Sequence, residues 1–186
     1  MYFNYRFGSD EESDRSKLLR YKEMVPYLPT TDPIHILDFG AGQGQLSQYI
    51  QKHTKVKVSK YYLCDHRYDK DEALTAIAHA NCGSLCHELS ISIPPGIRYD
   101  IGVICAVLQD CTHADQALSL IRFVTSVSKK TLIVFRNSET GDDPTLFMFD
   151  PRYLVGWVDA GFELQMRRLK SDYLADNYIA VLSQTT

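Results

Sequence analysis

The sequence predicts an α/β domain, a mostly parallel seven-stranded sheet with helices on both faces. Three observations lead there. Short apolar runs alternate with stretches of helical spacing from residue 34 onward. The clearest runs, Ile34 to Phe39 and Ile101 to Val107, are strand-sized and apolar nearly throughout, as strands covered on both faces must be. The first run passes through glycines straight into a helical pattern, the junction of an open α/β sheet.

The elements follow in order. Asp10 to Asp14 is an acidic, Ser-containing patch suited to a helix start, and Leu18, Leu19, Tyr21, Lys22 and Val25 continue with helical spacing until Pro26 and Pro29. Thr30 to Pro33 reads as a loop, so residues 1–33 form an N-terminal cap segment and 34–186 the main domain. Ile34 to Phe39 is the first strand, and Leu46 to Lys52 a helix. Tyr61 to Cys64 is a strand ending at Asp65, and Asp71 to Ala80 a helix. Ser84 to Cys86 is a weak strand before a loop through Pro94-Pro95-Gly96. Ile101 to Val107 is a strong strand, Ala114 to Ser126 a helix and Thr131 to Phe135 a strand. Pro151 to Ala160 is a helix halted by Gly161, and Phe162 to Met166 and Tyr178 to Leu182 are the closing strands.

Composition narrows the function classes. At 186 residues there is room for one ordinary domain, with 45% hydrophobic and 23% charged residues. Lys plus Arg is 20 and Asp plus Glu 23, a net charge of −3, which gives no overall attraction to nucleic acid or anionic membrane. No apolar run approaches the ~20 residues of a spanning helix, and the start Met1-Tyr2-Phe3-Asn4-Tyr5-Arg6 lacks a signal-peptide core. Five cysteines (Cys64, Cys82, Cys86, Cys105, Cys111) contain no CxxC pair and read as buried, reduced thiols of a cytoplasmic protein, with no metal site.

The stretch Asp38-Phe39-Gly40-Ala41-Gly42-Gln43-Gly44 carries the most chemistry. Glycines here allow positive φ and let a ligand press against bare backbone, beside the unpaired N–H groups of the next helix. A dinucleotide fingerprint would need its third glycine at position 45, which is Gln45. The pattern is instead D-x-G-x-G-x-G, and a carboxylate there suits a ligand bearing positive charge, such as S-adenosylmethionine (SAM) with its ammonium and sulfonium.

Asp38 to Gly44 resembles motif I of class I SAM-dependent methyltransferases, and later residues continue the resemblance over about residues 34 to 186. Membership of that family implies a Rossmann-like fold, SAM as cofactor and methyl transfer as the activity. It implies cofactor binding by Asp38, Gly40, Gly42, Gln43 and Gly44. Asp65, at the end of the second strand, is placed to grip the ribose hydroxyls, and Glu88 lies near the adenine amino group; His66 can line the adenine face or be a solvated loop histidine. Tyr99 to Ile104 resembles the family's fourth-strand motif, Val107-Leu108-Gln109-Asp110 its "v-L-x-H" segment with Asp110 in place of His, and Ala160 to Glu163 its "aGFe" turn. Ser128-Lys129-Lys130-Thr131 replaces the family's Pro-Gly-Gly turn.

Asp110 and His113 follow the fourth strand, where an acceptor must approach; either can serve as general base for a hydroxyl acceptor or as N-cap of the helix at Ala114. Arg136, followed by Asn137 and Glu139, could hold an anionic acceptor or be a solvated surface group. Tyr2, Phe3, Tyr5, Phe7, Tyr21 and Tyr27 make the cap aromatic, so it can cover the cofactor pocket or simply pack on the sheet. Tyr5-Arg6-Phe7-Gly8, Tyr27-Leu28-Pro29, Asp142 to Thr145 and Asp150-Pro151 resemble segments of bacterial methyltransferases acting on cell-surface polysaccharides. The expected acceptor is therefore a small molecule or glycan with an oxygen nucleophile, and specificity lies in the cap, a second copy or a partner subunit. The competing expectations are an RNA or protein methyltransferase and a catalytically degenerate binding subunit.

Overall fold

A computed structural model describes residues 10–136, 149–169 and 177–185. A seven-stranded sheet forms the middle layer: β1 (Ile34–Phe39), β2 (Val58–Cys64), β3 (His87–Ser90), β4 (Tyr99–Cys105), β5 (Ser128–Arg136), β6 (Phe162–Arg168) and β7 (Asn177–Gln184). Their spatial order is β3-β2-β1-β4-β5-β7-β6. Strands β1 to β5 are mutually parallel, while β7 runs antiparallel to both β5 and β6. The helices are α1 (Asp10–Met24), α2 (Gln45–His53), α3 (Glu72–Cys82), α4 (Ala114–Val127) and the short α5 (Gly156–Asp159).

Alternation along each strand divides the core. Ile36, Tyr61, Leu63, Ile101, Val103, Leu132 and Val134 face one layer, packing with Tyr21 and Met24 of α1, Leu46 and Ile50 of α2, and Ala78 and Cys82 of α3. Leu37, Tyr62, Tyr99, Ile104, Ile133 and Phe135 face the other, against Ala117, Ile121 and Val124 of α4 and Trp157 of α5. Ile36 and Leu37 are fully buried on opposite faces, each contributing about 2 kcal/mol of hydrophobic stabilisation. The continuous apolar runs in the sequence reflect this double cover.

Helix α4 passes into β5 without a loop. Ser128 takes extended geometry directly after Val127 and pairs with Tyr99, so the Ser-Lys-Lys stretch is strand rather than turn. That junction brings α4 close to the sheet: a Cβ at Gly102 would stand 2.5 Å from Ser128 Oγ and 2.7 Å from Val124 Cγ1. Asp100 fastens the opposite, amino-terminal edge. It accepts from the His35 backbone N–H at 2.8 Å and from Lys129 Nζ at 2.7 Å, tying β1, β4 and β5.

Three sequence expectations need correction. The third strand lies at His87–Ser90, not Ser84 to Cys86; a turn after Gly83 delays it, and the Tyr61 N–H already donates to the Cys86 carbonyl. The stretch Pro151 to Ala160 is a 3-10 turn, Pro151–Leu154, and the four-residue α5, parted at Val155, after which Gly156, a weak helix former, begins the second piece. Finally, Cys86 is exposed, although the other described thiols are buried or half-buried and all five are free. Among the described residues no helix is long and apolar enough to cross a membrane.

Candidate functional site

Sheet order reverses between β1 and β4, which opens a crevice at their carboxyl ends, the usual ligand site of open α/β sheets. The glycine loop fills one side of it. Gly40, Gly42 and Gly44 have φ of 72°, 53° and 69°. Gly40 combines that conformation with close approach: an added Cβ would lie 2.3 Å from Val107 Cγ2, beyond the end of β4. The Gly40 N–H donates to the Cys64 carbonyl at 2.7 Å, and the Tyr68 hydroxyl donates to the Gly42 carbonyl at 2.7 Å. Across the crevice, Ala106 is the one described non-glycine residue with positive φ, 56°, and its N–H still donates to the Val134 carbonyl at 2.8 Å. Backbone strain of this kind costs roughly 1–3 kcal/mol and is held by surrounding packing.

Asp38, at 4% exposure, points into the layer beneath the loop, where it accepts from the Tyr61 hydroxyl at 2.9 Å. Burial pushes its carboxyl up to about 7; the Tyr61 bond pulls it down and the nearby Asp65 charge adds to the rise. Among the described residues no cation pairs with it. Asp65 is equally buried but fully engaged. It accepts from the Gly42 N–H at 3.0 Å, the Arg67 N–H at 3.1 Å, Arg67 Nε at 2.8 Å and Arg67 Nη2 at 2.7 Å. Burial would raise its pKa, but the Arg67 hydrogen bonds and charge outweigh it and hold the carboxyl below its ordinary value.

Other expected residues divide. Gln43 is exposed, and its carbonyl accepts from Asn81 Nδ2 at 2.8 Å. His66 stands out from the loop, its side chain 76% exposed and 3.7 Å from Asp65. Glu88 lies inside β3 opposite Tyr62 and pairs with Lys60 at 2.7 Å, apart from the Asp38–Asp65 group. Asp110 closes a 3-10 turn, Leu108–Asp110, beyond β4. His113 is the N-cap of α4: its Nδ1 accepts from the Gln116 N–H at 3.2 Å, while Gln116 Oε1 accepts from the Thr112 N–H at 2.8 Å. Arg136 ends β5, whereas Asn137, Glu139 and Asp142 to Thr145 lie outside the described residues, as do Tyr2, Phe3, Tyr5 and Phe7 of the cap.

The sequence reading missed Tyr61, Arg67 and Tyr68, which fix the two acids and the loop. They carry no motif; Tyr61 sits in an apolar strand, and Arg67 is two residues beyond an expected ligand.

No protein-family model matches the sequence, and comparison with characterised proteins finds no sequence match. Solved structures do match its fold. Magnesium protoporphyrin IX methyltransferase (ChlM) from Synechocystis PCC 6803, with S-adenosylhomocysteine (SAH) bound, superposes on 99% of this chain and 91% of its own, at TM-score 0.71 and 14% identity. The small RNA methyltransferase HEN1 covers 98% of this chain at TM-score 0.72 and 14% identity. A chain of the Pnkp1/Rnl/Hen1 RNA repair complex covers 91% at TM-score 0.68 and 14% identity. This chain spans only 27% of HEN1 and 42% of the repair-complex chain. At these identities the likeness is one of fold, and the fold is one that methyltransferases use.

Proposed function

We propose that this chain is a cytoplasmic SAM-dependent methyltransferase of the Rossmann-like class I kind, acting on an oxygen nucleophile of a small molecule or glycan. One observation carries the reading: Asp38, a buried carboxyl without a cation partner among the described residues, lies under a left-handed glycine loop at the sheet's switch point. A group held up near 7 by burial is stabilised as the anion by an incoming ammonium, so the residues fit SAM at that end. The loop around Gly40, Gly42, Gln43 and Gly44 would hold the ligand's middle. Asp65 would take the ribose diol, in place of the Arg67 guanidinium that now covers it. His66 and Glu88 would bound the adenine side.

When bound, SAM supplies a methyl group on a sulfonium; the chain's own work is placement, worth roughly 7–11 kcal/mol of barrier. A hydroxyl acceptor must also lose a proton. His113 Nδ1 accepts from the Gln116 N–H, so a neutral ring carries its proton on Nε2 and gives up the cap to act as base. Asp110, in the preceding turn, is the other candidate for the base. Residues 34–186 form the SAM domain and 1–33 the cap; buried Tyr21, Met24 and Leu28 support a cap that packs on the domain.

The net charge of −3 supports a non-nucleic-acid acceptor. The second reading, an RNA acceptor, is favoured by the fold likeness to HEN1 and the RNA repair complex. Calorimetric titration with SAM and SAH tests the cofactor: we expect saturable binding, weakened at least ~100-fold by Asp65→Ala. No binding to the unaltered chain overturns the reading. Retention on RNA that falls steeply with salt moves the acceptor to nucleic acid.

A further inference from the structure

Arginine side chains inside a fold normally find acceptors for their N–H groups, because a desolvated donor left without one costs free energy. Arg20, on α1, departs from this. Its Nε is buried, and among the described residues nothing accepts a hydrogen bond from it and no carboxylate pairs with the guanidinium. The neighbouring Tyr21 and Met24 are buried in the core layer that also holds Tyr61 of β2 and Ile101 and Val103 of β4, and the half-buried Cys105 packs against that same layer. Cys105 ends the same strand, and its thiol registers two opposite charges. Burial pushes it up to about 12, the Arg20 guanidinium draws it back, and Asp38 raises it again. The Arg20 guanidinium and the Asp38 carboxyl therefore both act on one half-buried thiol at the carboxyl end of β4.

We propose that Arg20 is the anion-binding residue of this site, its guanidinium holding a carboxylate or phosphate of the bound ligand over the end of β4. Guanidinium is suited to such groups because its donors match two oxygens at once. The inference rests on the methyltransferase reading and deepens it. An α-amino-acid end carries an ammonium and a carboxylate, and Asp38 and Arg20 offer the complement of each; this favours the donor's amino-acid tail over an acidic acceptor as the source.

The test compares the full chain with Arg20→Met and Arg20→Lys by calorimetry. The ligands are SAH and 5′-methylthioadenosine, which lacks the amino-acid end. We expect Arg20→Met to weaken SAH binding at least ~10-fold, about 1.4 kcal/mol, leave methylthioadenosine unchanged and be partly rescued by Arg20→Lys. If SAH binding is unchanged but inorganic phosphate raises the melting temperature of the unaltered chain and not of Arg20→Met, the anion belongs to the acceptor. If neither SAH nor phosphate distinguishes the variant, the proposal is overturned. The ligand-free Arg20→Met protein should melt no lower than the unaltered chain, whereas a merely structural arginine would lower it. Failure of the unaltered chain to bind either nucleoside sinks the cofactor reading, while the phosphate arm still decides Arg20.

Discussion

Asp38 and Asp65 stand at the carboxyl ends of adjacent strands, each 4% exposed, yet one holds its proton to about 7 and the other loses it below the ordinary range. Burial is the same; the partners differ. Asp38 has a neutral phenol, Asp65 a guanidinium and two backbone N–H groups. Under the proposed function, an acid left unpaired suits an incoming ammonium and an ionised acid suits a diol.

The largest expected effect comes from neutralising Asp38. Its raised pKa stabilises the fold below the unfolded value near 3.8 and withdraws that stability as pH rises toward about 7. Asp38→Asn keeps an acceptor for Tyr61 and removes the ionisation, so ligand-free protein should gain as much as ~4 kcal/mol at pH 8 and little at pH 4. Denaturant unfolding at both values checks this, and equal gains would break the contrast.

Removing the partner of Asp65 should turn it into a second Asp38. Its depressed pKa gives stability above the unfolded value, lost as pH falls through the folded one. Arg67→Met should cost about 2 kcal/mol at pH 7, less than for a fully buried pair because the Arg67 side chain is 36% exposed. The deficit should shrink as pH falls into the carboxylate range. A deficit that does not change with pH would mean Arg67 acts by packing.

The smallest effect belongs to His113, on the same edge but outside the acid pair. His113→Ala should lose about 1 kcal/mol of stability with the cap and change kcat less than tenfold. A thousandfold fall in kcat at unchanged stability would make the ring, rather than Asp110, the base.

How legible this was depends on the range of the interaction. The strand boundaries Ile34 to Phe39 and the glycine loop follow from local chemistry: apolar alternation, then residues that tolerate positive φ. The position of Asp65 was readable as the residue that follows the short apolar strand Tyr61 to Cys64. The third strand was misplaced because Gly83 sets a turn that no hydrophobic pattern announces. Tyr61 acts through a contact 23 residues away along the chain, and Arg67, although it reaches only two residues back to Asp65, sits in no motif that marks it; the fastening of β1, β4 and β5 by Asp100 is likewise a tertiary contact with no sequence signal.

The place of β7 has a consequence for how the chain reaches this state. Strand β6 precedes β7 in sequence but lies outside it, and among the described residues its only sheet neighbour is β7. A nascent chain cut before residue 177 therefore has nowhere to dock β6 and leaves the edge of β5 open. Such fragments expose the β5 edge that β7 covers in the full sheet, a liability for aggregation. Closure of the sheet waits for β7 to pair with β5 and bring β6 in on its far side.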